Sequence, residues 1–388
     1  MTATSTDSWQ SGRITDAALE EMRTQVGLKE AVVPWISSAS EDAIWHFALG
    51  IGDDNPMWWN REYAEASRVG RMYAPPTLLY TSTSEVRKPG DKAKPSGVEE
   101  WLPGTLGLWA GDRWQWHSRI WADEKISATR ELHEVRERSG KFAGRSIAQT
   151  ELVVFTGEGG RPLAELYRTI LRFEREASRH NSKYLETPEA RYSPEERQAI
   201  LDQYAAEPAN RRGGEPRYWE DVTVGDELPG LVKGPLSVTN IVGWLLGWGS
   251  PQCPTNRMLY QWLDQHPGGL LYNPLTGVDD TLEGAHWDTY FAQQSGMARG
   301  YDFGGQRISW AGHVLTDWCG DDGDLVALDG RLQAPDYIGD TTWFTGRVTG
   351  KEEAGERRLA RCEVVGVNQR GQQTIVATAA VALPSRSQ

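Results

Sequence analysis

Gly52-Asp53-Asp54-Asn55-Pro56-Met57-Trp58-Trp59-Asn60, followed by Ala64, is the stretch on which the fold turns. Ahead of it, Ser38-Ala-Ser-Glu41 forms a capping-box pattern, and Ala43, Ile44, Phe47, Ala48 and Ile51 follow at helical spacing. A helix packed on a core is predicted there. Asp53, Asp54, Asn55 and Pro56 cannot comfortably continue it, because Asp and Asn bond their own backbone and Pro has no N–H to give. The quoted stretch is therefore expected to overhang the fold as an irregular segment.

Working outward, a first helix is expected near Thr15 to Gly27. Strands are expected over Ala128 to Val135, Ser146 to Phe155 and Pro162 to Phe173, with Gly157-Glu-Gly-Gly160 as the turn between the last two. Residues from about Glu174 to Pro216 are rich in Arg, Glu and Pro and read as a connector with one short helix near Ser193 to Ala206. The second half then repeats the order of the first. Ile241-Val-Gly-Trp-Leu-Leu-Gly-Trp-Gly249 echoes Ile44-Trp-His-Phe-Ala-Leu-Gly-Ile-Gly52, an offset of 197 positions (241 against 44). His286-Trp-Asp-Thr-Tyr-Phe-Ala292 echoes Trp58-Trp-Asn-Arg-Glu-Tyr-Ala64, an offset of 228 (286 against 58), so the second half carries 31 inserted residues. A final hairpin, Ala360 to Val367 and Thr374 to Leu383 around Asn368-Gln-Arg-Gly371, echoes the one at Gly157. Strands that run together after the helices make each half α+β, and paired halves could join their sheets edge to edge.

The quoted stretch resembles the overhang motif of MaoC-like dehydratases and R-specific enoyl-CoA hydratases, G-D-x-N-P-x-H-x-D-x-x-x-A. Ala74-Pro-Pro-Thr77 is typical of the family's N-terminal, FAS1-like dehydratase halves. Tyr301-Asp-Phe-Gly304, His313-Val-Leu-Thr-Asp-Trp318, Gly339-Asp-Thr-Thr342 and Leu383-Pro-Ser-Arg386 look like one subgroup of bacterial acyl dehydratases, extending the resemblance over nearly the whole chain. It implies a tandem (double) hotdog, each half an antiparallel sheet wrapped around a central helix. The expected division is a degenerate N-terminal hotdog over residues 1–175, a linker over 176–215 and a C-terminal hotdog with the active site over 216–388.

The resemblance also implies a hydro-lyase that adds or removes water at the β-carbon of a thioester carried on coenzyme A or an acyl carrier protein, with no metal or redox cofactor. Such chemistry needs one group to take a proton and another to give one at the same water. The first half keeps Asp53 and Asn55 but has Trp58, which cannot titrate, at the His position. In the second half His286 and Asp288 match H-x-D, and His286 is the expected acid/base. Asp288 or an inserted carboxylate is expected to orient the water, and the choice stays open: Thr281 and Ser250 occupy the positions aligned with the motif's Asp, and Asp279, Asp280 and Glu283 lie in the insertion. Gly304 and Gly305, at the start of a helix, are expected to offer backbone N–H groups to the thioester oxygen. Trp58 and Glu283 join them as substrate contacts. His313 reads as a core residue of the central helix. Rival readings are a hotdog thioesterase, a natural-product cyclase/dehydratase, and a non-catalytic acyl-thioester-binding subunit.

Composition bounds these readings. With 388 residues, 39% hydrophobic and 24% charged, the chain is expected to bury a sizeable core. A net charge of −13 argues against a nucleic-acid footprint, which needs a basic face. No apolar run is long enough for a membrane span, and Met1 to Arg13 lacks the features of a secretory leader, so a cytoplasmic protein is expected; a homodimer is expected separately. Cys253, Cys319 and Cys362 show no metal or disulfide spacing. The 18 Trp residues read mainly as core, with tunnel lining as the alternative. Arg172, Arg175 and Arg179 read as a solvated face, with phosphate contacts as the alternative.

Overall fold

The computed structural model describes residues 12–85, 102, 105–140, 144–174, 184–250, 253–266 and 269–387. Arg175 and Arg179 lie outside them. A first helix, Asp16–Thr24, is capped by Thr15 and leads to strand β1, Lys29–Val32. The helix Glu41–Ile51 starts where Ser40 accepts the Ala43 N–H and stops at Gly52, whose left-handed φ of 63° favours glycine. Two short helices, Pro56–Trp59 and Arg61–Ala66, are capped by Asn55 and Asn60. These caps give the overhang its irregular path.

Four strands follow in the first half: β2 (Leu106–Trp116), β3 (Ser127–Gly140), β4 (Gly144–Thr156) and β5 (Pro162–Phe173). In the central-helix position the described residues hold only a 3-10 turn, Pro76–Ser82. The connector helix Pro194–Asn210 begins with a capping box at Ser193 and Glu196. It docks on the second half through Tyr204, whose hydroxyl donates to the Gly234 carbonyl.

The second half opens with β6 (Glu227–Lys233) and the helix Val238–Trp248, which ends at Gly249 with φ 74°. Its insertion folds as a helix, Arg257–Gln265, and a small hairpin of β7 (Leu271–Asn273) and β8 (Val278–Asp280). Then come a 3-10 turn, Leu282–His286, a short helix, Thr289–Gln294, and the central helix Gly304–Cys319. Strands β9 (Asp324–Leu332), β10 (Thr342–Ala354), β11 (Arg357–Asn368) and β12 (Gln373–Leu383) complete it.

Ten strands form one antiparallel sheet in the order β1-β3-β4-β5-β2-β9-β12-β11-β10-β6. The seam between halves is β2 on β9, from Gly111 opposite Arg331 to Gln115 opposite Ala327. Each half thereby covers an edge of the other, as anticipated. The two corresponding helices pack together across the same seam. A Cβ on Gly50 would stand 2.7 Å from the Gly243 carbonyl oxygen, and one on Gly247 2.6 Å from that of His46, so the backbones touch where the repeat places glycine. One hydrophobic core runs through both halves. Every residue of the central helix except Thr316 is buried.

Candidate active site

His286 ends the 3-10 turn that closes the insertion. Its Nδ1 lies 2.8 Å from the Tyr301 carbonyl oxygen, an acceptor, so Nδ1 carries the hydrogen and Nε2 holds a free lone pair. The ring stacks on Phe303 at 3.7 Å between centroids, which sets the imidazole against the residue that opens the central helix. Burial pushes its pKa down to about 4, outweighing the Tyr301 and Asp302 carbonyls that favour the charged form. The side chain keeps 15% of its surface exposed. At neutral pH it is an uncharged base.

Glu283, three residues earlier on the same turn, places Oε2 3.8 Å from His286 Nε2. Burial, aided by Asp280, raises its pKa to about 7. The two groups are thus pushed in opposite directions, one held as a base and the other as an acid, which is the pattern of acid/base assignment in a shared site. Their separation is too long for a direct hydrogen bond and leaves room for a bridging oxygen. Among the carboxylates left open by the sequence, Glu283 is the one seated at the imidazole. Asp280 accepts from the Thr281 N–H, and Asp288 caps the helix Thr289–Gln294 by accepting from Phe291 N at 3.1 Å.

Gly304 and Gly305 begin the central helix, and no side chain caps that first turn. Both are buried under Trp109 of β2. A Cβ on Gly304 would come within 2.5 Å of Trp109 Cγ, and one on Gly305 within 3.1 Å of its Cη2. Trp109 continues into an aromatic cluster with Tyr80, Trp248 and Phe303. Seven tryptophans, Trp114, Trp244 and Trp318 among them, are buried in the core.

The first-half residues assemble differently. Asp53 Oδ2 accepts from Trp58 Nε1 at 2.8 Å, the indole standing where the motif has histidine, while Oδ1 accepts from Asn55 N at 3.0 Å. Asn55 spends its own Oδ1 on Met57 N. An imidazole nevertheless faces Asp53, and it comes from the other half: His313 Nε2 lies 3.4 Å from Asp53 Oδ1 and 3.3 Å from Asp317 Oδ2. His313 was read as core, and it is fully buried there. Its pairing with Asp317, four residues along one helix face, was legible in the sequence. Its pairing with Asp53 depends on how the halves dock.

Lys233 completes this cluster, Nζ lying 3.2 Å from His313 Nδ1 and donating to the Gly52 carbonyl at 2.9 Å. Burial lowers its pKa against the pull of Glu207, Asp53 and Asp317. Burial also pushes Asp317 up, but His313 and Arg211, which bonds it at 3.0 Å, hold it below the usual range. Asp53, His313 and Asp317 bring ligand atoms within 4.8 Å of one another, the spacing of a metal site. Lys233 and Arg211 already supply the positive charge a cation would bring, so the set fits an ion-pair cluster better than a metal centre.

Residues 32–165 match the family model described as FAS1-like, dehydratase domain region. A solved MaoC-like dehydratase aligns over 94% of this chain and 100% of its own, with a TM-score of 0.64 and 18% identity. The chain has a double hotdog fold. A MaoC domain protein dehydratase from Chloroflexus aurantiacus J-10-fl aligns with this double hotdog over 92% of the chain and 96% of its own, with a TM-score of 0.54 and 13% identity. A conserved hypothetical protein of Mycobacterium tuberculosis, described as a double hotdog, covers the same shares at 0.53 and 10%. No curated protein matches the chain. The resemblance drawn from Gly52–Asn60 therefore holds for the fold, and residues 32–165 carry the FAS1-like dehydratase region. No helix among the described residues is long and apolar enough to cross a membrane.

Proposed function

We propose that this double hotdog is a hydro-lyase acting reversibly on a 2-enoyl thioester, with His286 as base and Glu283 as acid. The observation that carries the reading is the pair itself: His286 Nε2 and Glu283 Oε2 lie 3.8 Å apart on one turn beside the start of the central helix. In hydration, Nε2 takes a proton from water as its oxygen bonds to the β-carbon. The C=C electron pair shifts toward the thioester carbonyl and then takes the Glu283 proton at the α-carbon. Transfer from His286 back to Glu283 restores both groups. Gly304 and Gly305 are the donors proposed for the thioester oxygen, since their turn lacks a side-chain cap. The carrier is coenzyme A or an acyl carrier protein, and the working unit a homodimer.

The test is hydration of crotonyl-type, long-chain and polycyclic enoyl thioesters by the purified protein. Turnover that His286→Ala abolishes, with thioester binding retained, supports the reading. Tight binding without turnover in the wild type refutes it in favour of a binding subunit, and thioester hydrolysis refutes it in favour of a thioesterase.

A further inference from the structure

Four consecutive residues, Gly300 to Phe303, support His286. Gly300 lies so close to its backbone that a Cβ there would stand 2.6 Å from the His286 carbonyl oxygen. The Tyr301 carbonyl takes the Nδ1 hydrogen, and Phe303 stacks on the imidazole. Asp302, between those two, sends its carboxylate to Arg307 instead, and no part of that side chain meets solvent.

Arg307, in the first turn of the central helix, grips the carboxylate with two arms: Nε donates to Oδ2 at 2.8 Å, and Nη2 donates to Oδ1. Its remaining nitrogen, Nη1, donates to the Ala334 carbonyl beyond β9 and, at 2.7 Å, to that of Thr374 near the start of β12. Asp336, whose backbone carbonyl accepts from Asp302 N at 2.9 Å, brings its own carboxylate within 3.2 Å of Nε. One guanidinium thus ties the central helix, β12 and the loop from β9 to β10 to the residue that follows the imidazole's acceptor. Taking these charges out of water is costly, and apolar residues of similar size often stabilise a core no less. A planar fork with fixed donor directions supplies what apolar packing does not, a set position for the segment it holds.

We infer that Arg307 is a positioning residue for His286. By gripping Asp302 it fixes the Tyr301 carbonyl and the Phe303 ring, and through them the tautomer of the imidazole and the aim of Nε2. The consequence for turnover rests on the hydro-lyase reading; the consequence for the ring does not.

The experiment compares the wild type with Arg307→Lys, Asp302→Asn and the double variant. Hydration kinetics are measured alongside nitrogen NMR of ring-labelled histidine, the His286 signals being assigned by their loss in His286→Gln. Lys keeps the charge but offers one point donor where the guanidinium spans several acceptors, and Asn keeps the size but turns an amide N–H toward one arm of the fork. Asp302→Asn leaves Arg307 paired with Asp336, so it serves where Arg307→Lys fails to fold. The wild type should show the Nδ1–H tautomer alone at neutral pH, and each single variant a mixture of both. Each should lose about 10- to 100-fold in kcat, the penalty of a misplaced catalytic group, with KM within about threefold. The double variant should lose no more than the worse single one, because both cut the same link. A folded variant that melts lower yet keeps the single tautomer and the wild-type kcat overturns the inference, as do additive losses in the double variant. In a wild type that does not hydrate, the hydro-lyase reading fails by itself; an unchanged tautomer in the variants then overturns the positioning role, and a mixed one upholds it.

Discussion

Replacing Glu283 by Gln keeps the size and a hydrogen-bond donor but removes the proton that can be transferred. With Glu283 near 7 and His286 near 4, the productive form, carboxyl protonated and imidazole neutral, dominates between those values. The wild-type kcat/KM should form a plateau there, falling above about 7 as Glu283 ionises. The variant should lose about 10²- to 10⁴-fold at pH 6, the usual contribution of a positioned acid, and should lack the alkaline limb. Stability should move the other way. Below its ordinary pKa of 4.5 Glu283 is protonated both folded and unfolded. As pH rises from 4.5 to about 7, the unfolded chain gives up the proton while the folded chain keeps it, so stability is lost through that window and stays level above it. A raise of about 2.5 units at 1.36 kcal/mol per unit sets the loss at about 3 kcal/mol. Glu283→Gln should therefore be more stable than wild type by up to that amount at pH 8 and no more stable at pH 4, as read by urea unfolding. A variant within about threefold of wild type at pH 6, with its alkaline limb in place and no gain in stability at pH 8, would refute the assignment.

Three further outcomes follow from the packing. Asp288→Ala should cost about 1 kcal/mol in urea unfolding through the lost cap and leave kcat/KM within about threefold; a hundredfold drop would give Asp288 a chemical role instead. Gly304→Ala forces a Cβ against the near end of Trp109, which cannot swing aside, and should cost about 1–3 kcal/mol; an unchanged Tm would mean that β2 and the central helix can part there. Lys233→Met leaves Asp53, Asp317 and Glu207 with one cation fewer, and should destabilise by about 3–5 kcal/mol in urea unfolding, with loss below about 1 kcal/mol counting against the cluster as a lock.

The sequence showed whatever is encoded locally. The repeat with its 197-position offset marks two helices that stop on left-handed glycines, Gly52 and Gly249, and the same repeat puts Gly50 and Gly247 where the helix backbones meet. Strands β3, β4, β5, β11 and β12 were visible because apolar alternation and glycine turns are short-range signals. Strands β1, β2 and β6 to β10 were missed. β2 earns its place through pairing with β5 and β9, not through alternation of its own residues. At the site, His286 came from motif spacing, but its partner did not. Spacing cannot say which of several carboxylates in a 31-residue insertion turns inward, and only the fold of the 3-10 turn brings Glu283 to the ring. The Asp53–His313 contact joins two halves and had no signal along the chain.

The duplicated frame reaches two opposite electrostatic outcomes, and under the proposed function the access to lone pairs sets the reacting half apart. Asp53 has both oxygens occupied, by the Trp58 indole on one side and by Asn55 N with His313 close by on the other, and only 3% of the residue meets solvent. A carboxylate so enclosed is poorly placed to polarise a water. The group therefore serves the seam: breaking such a buried set is expensive, and expense at that point keeps the halves in register. In the second half the insertion interrupts the local route from the glycine cap to the histidine, and with it the Asp-to-His spacing of the motif. What replaces it is a carboxyl three residues from the ring, raised by burial instead of lowered by ion pairing, facing the imidazole Nε2 at 3.8 Å. Under the proposed function, losing the motif's aspartate there removes one carboxylate position and leaves the acid/base role to another.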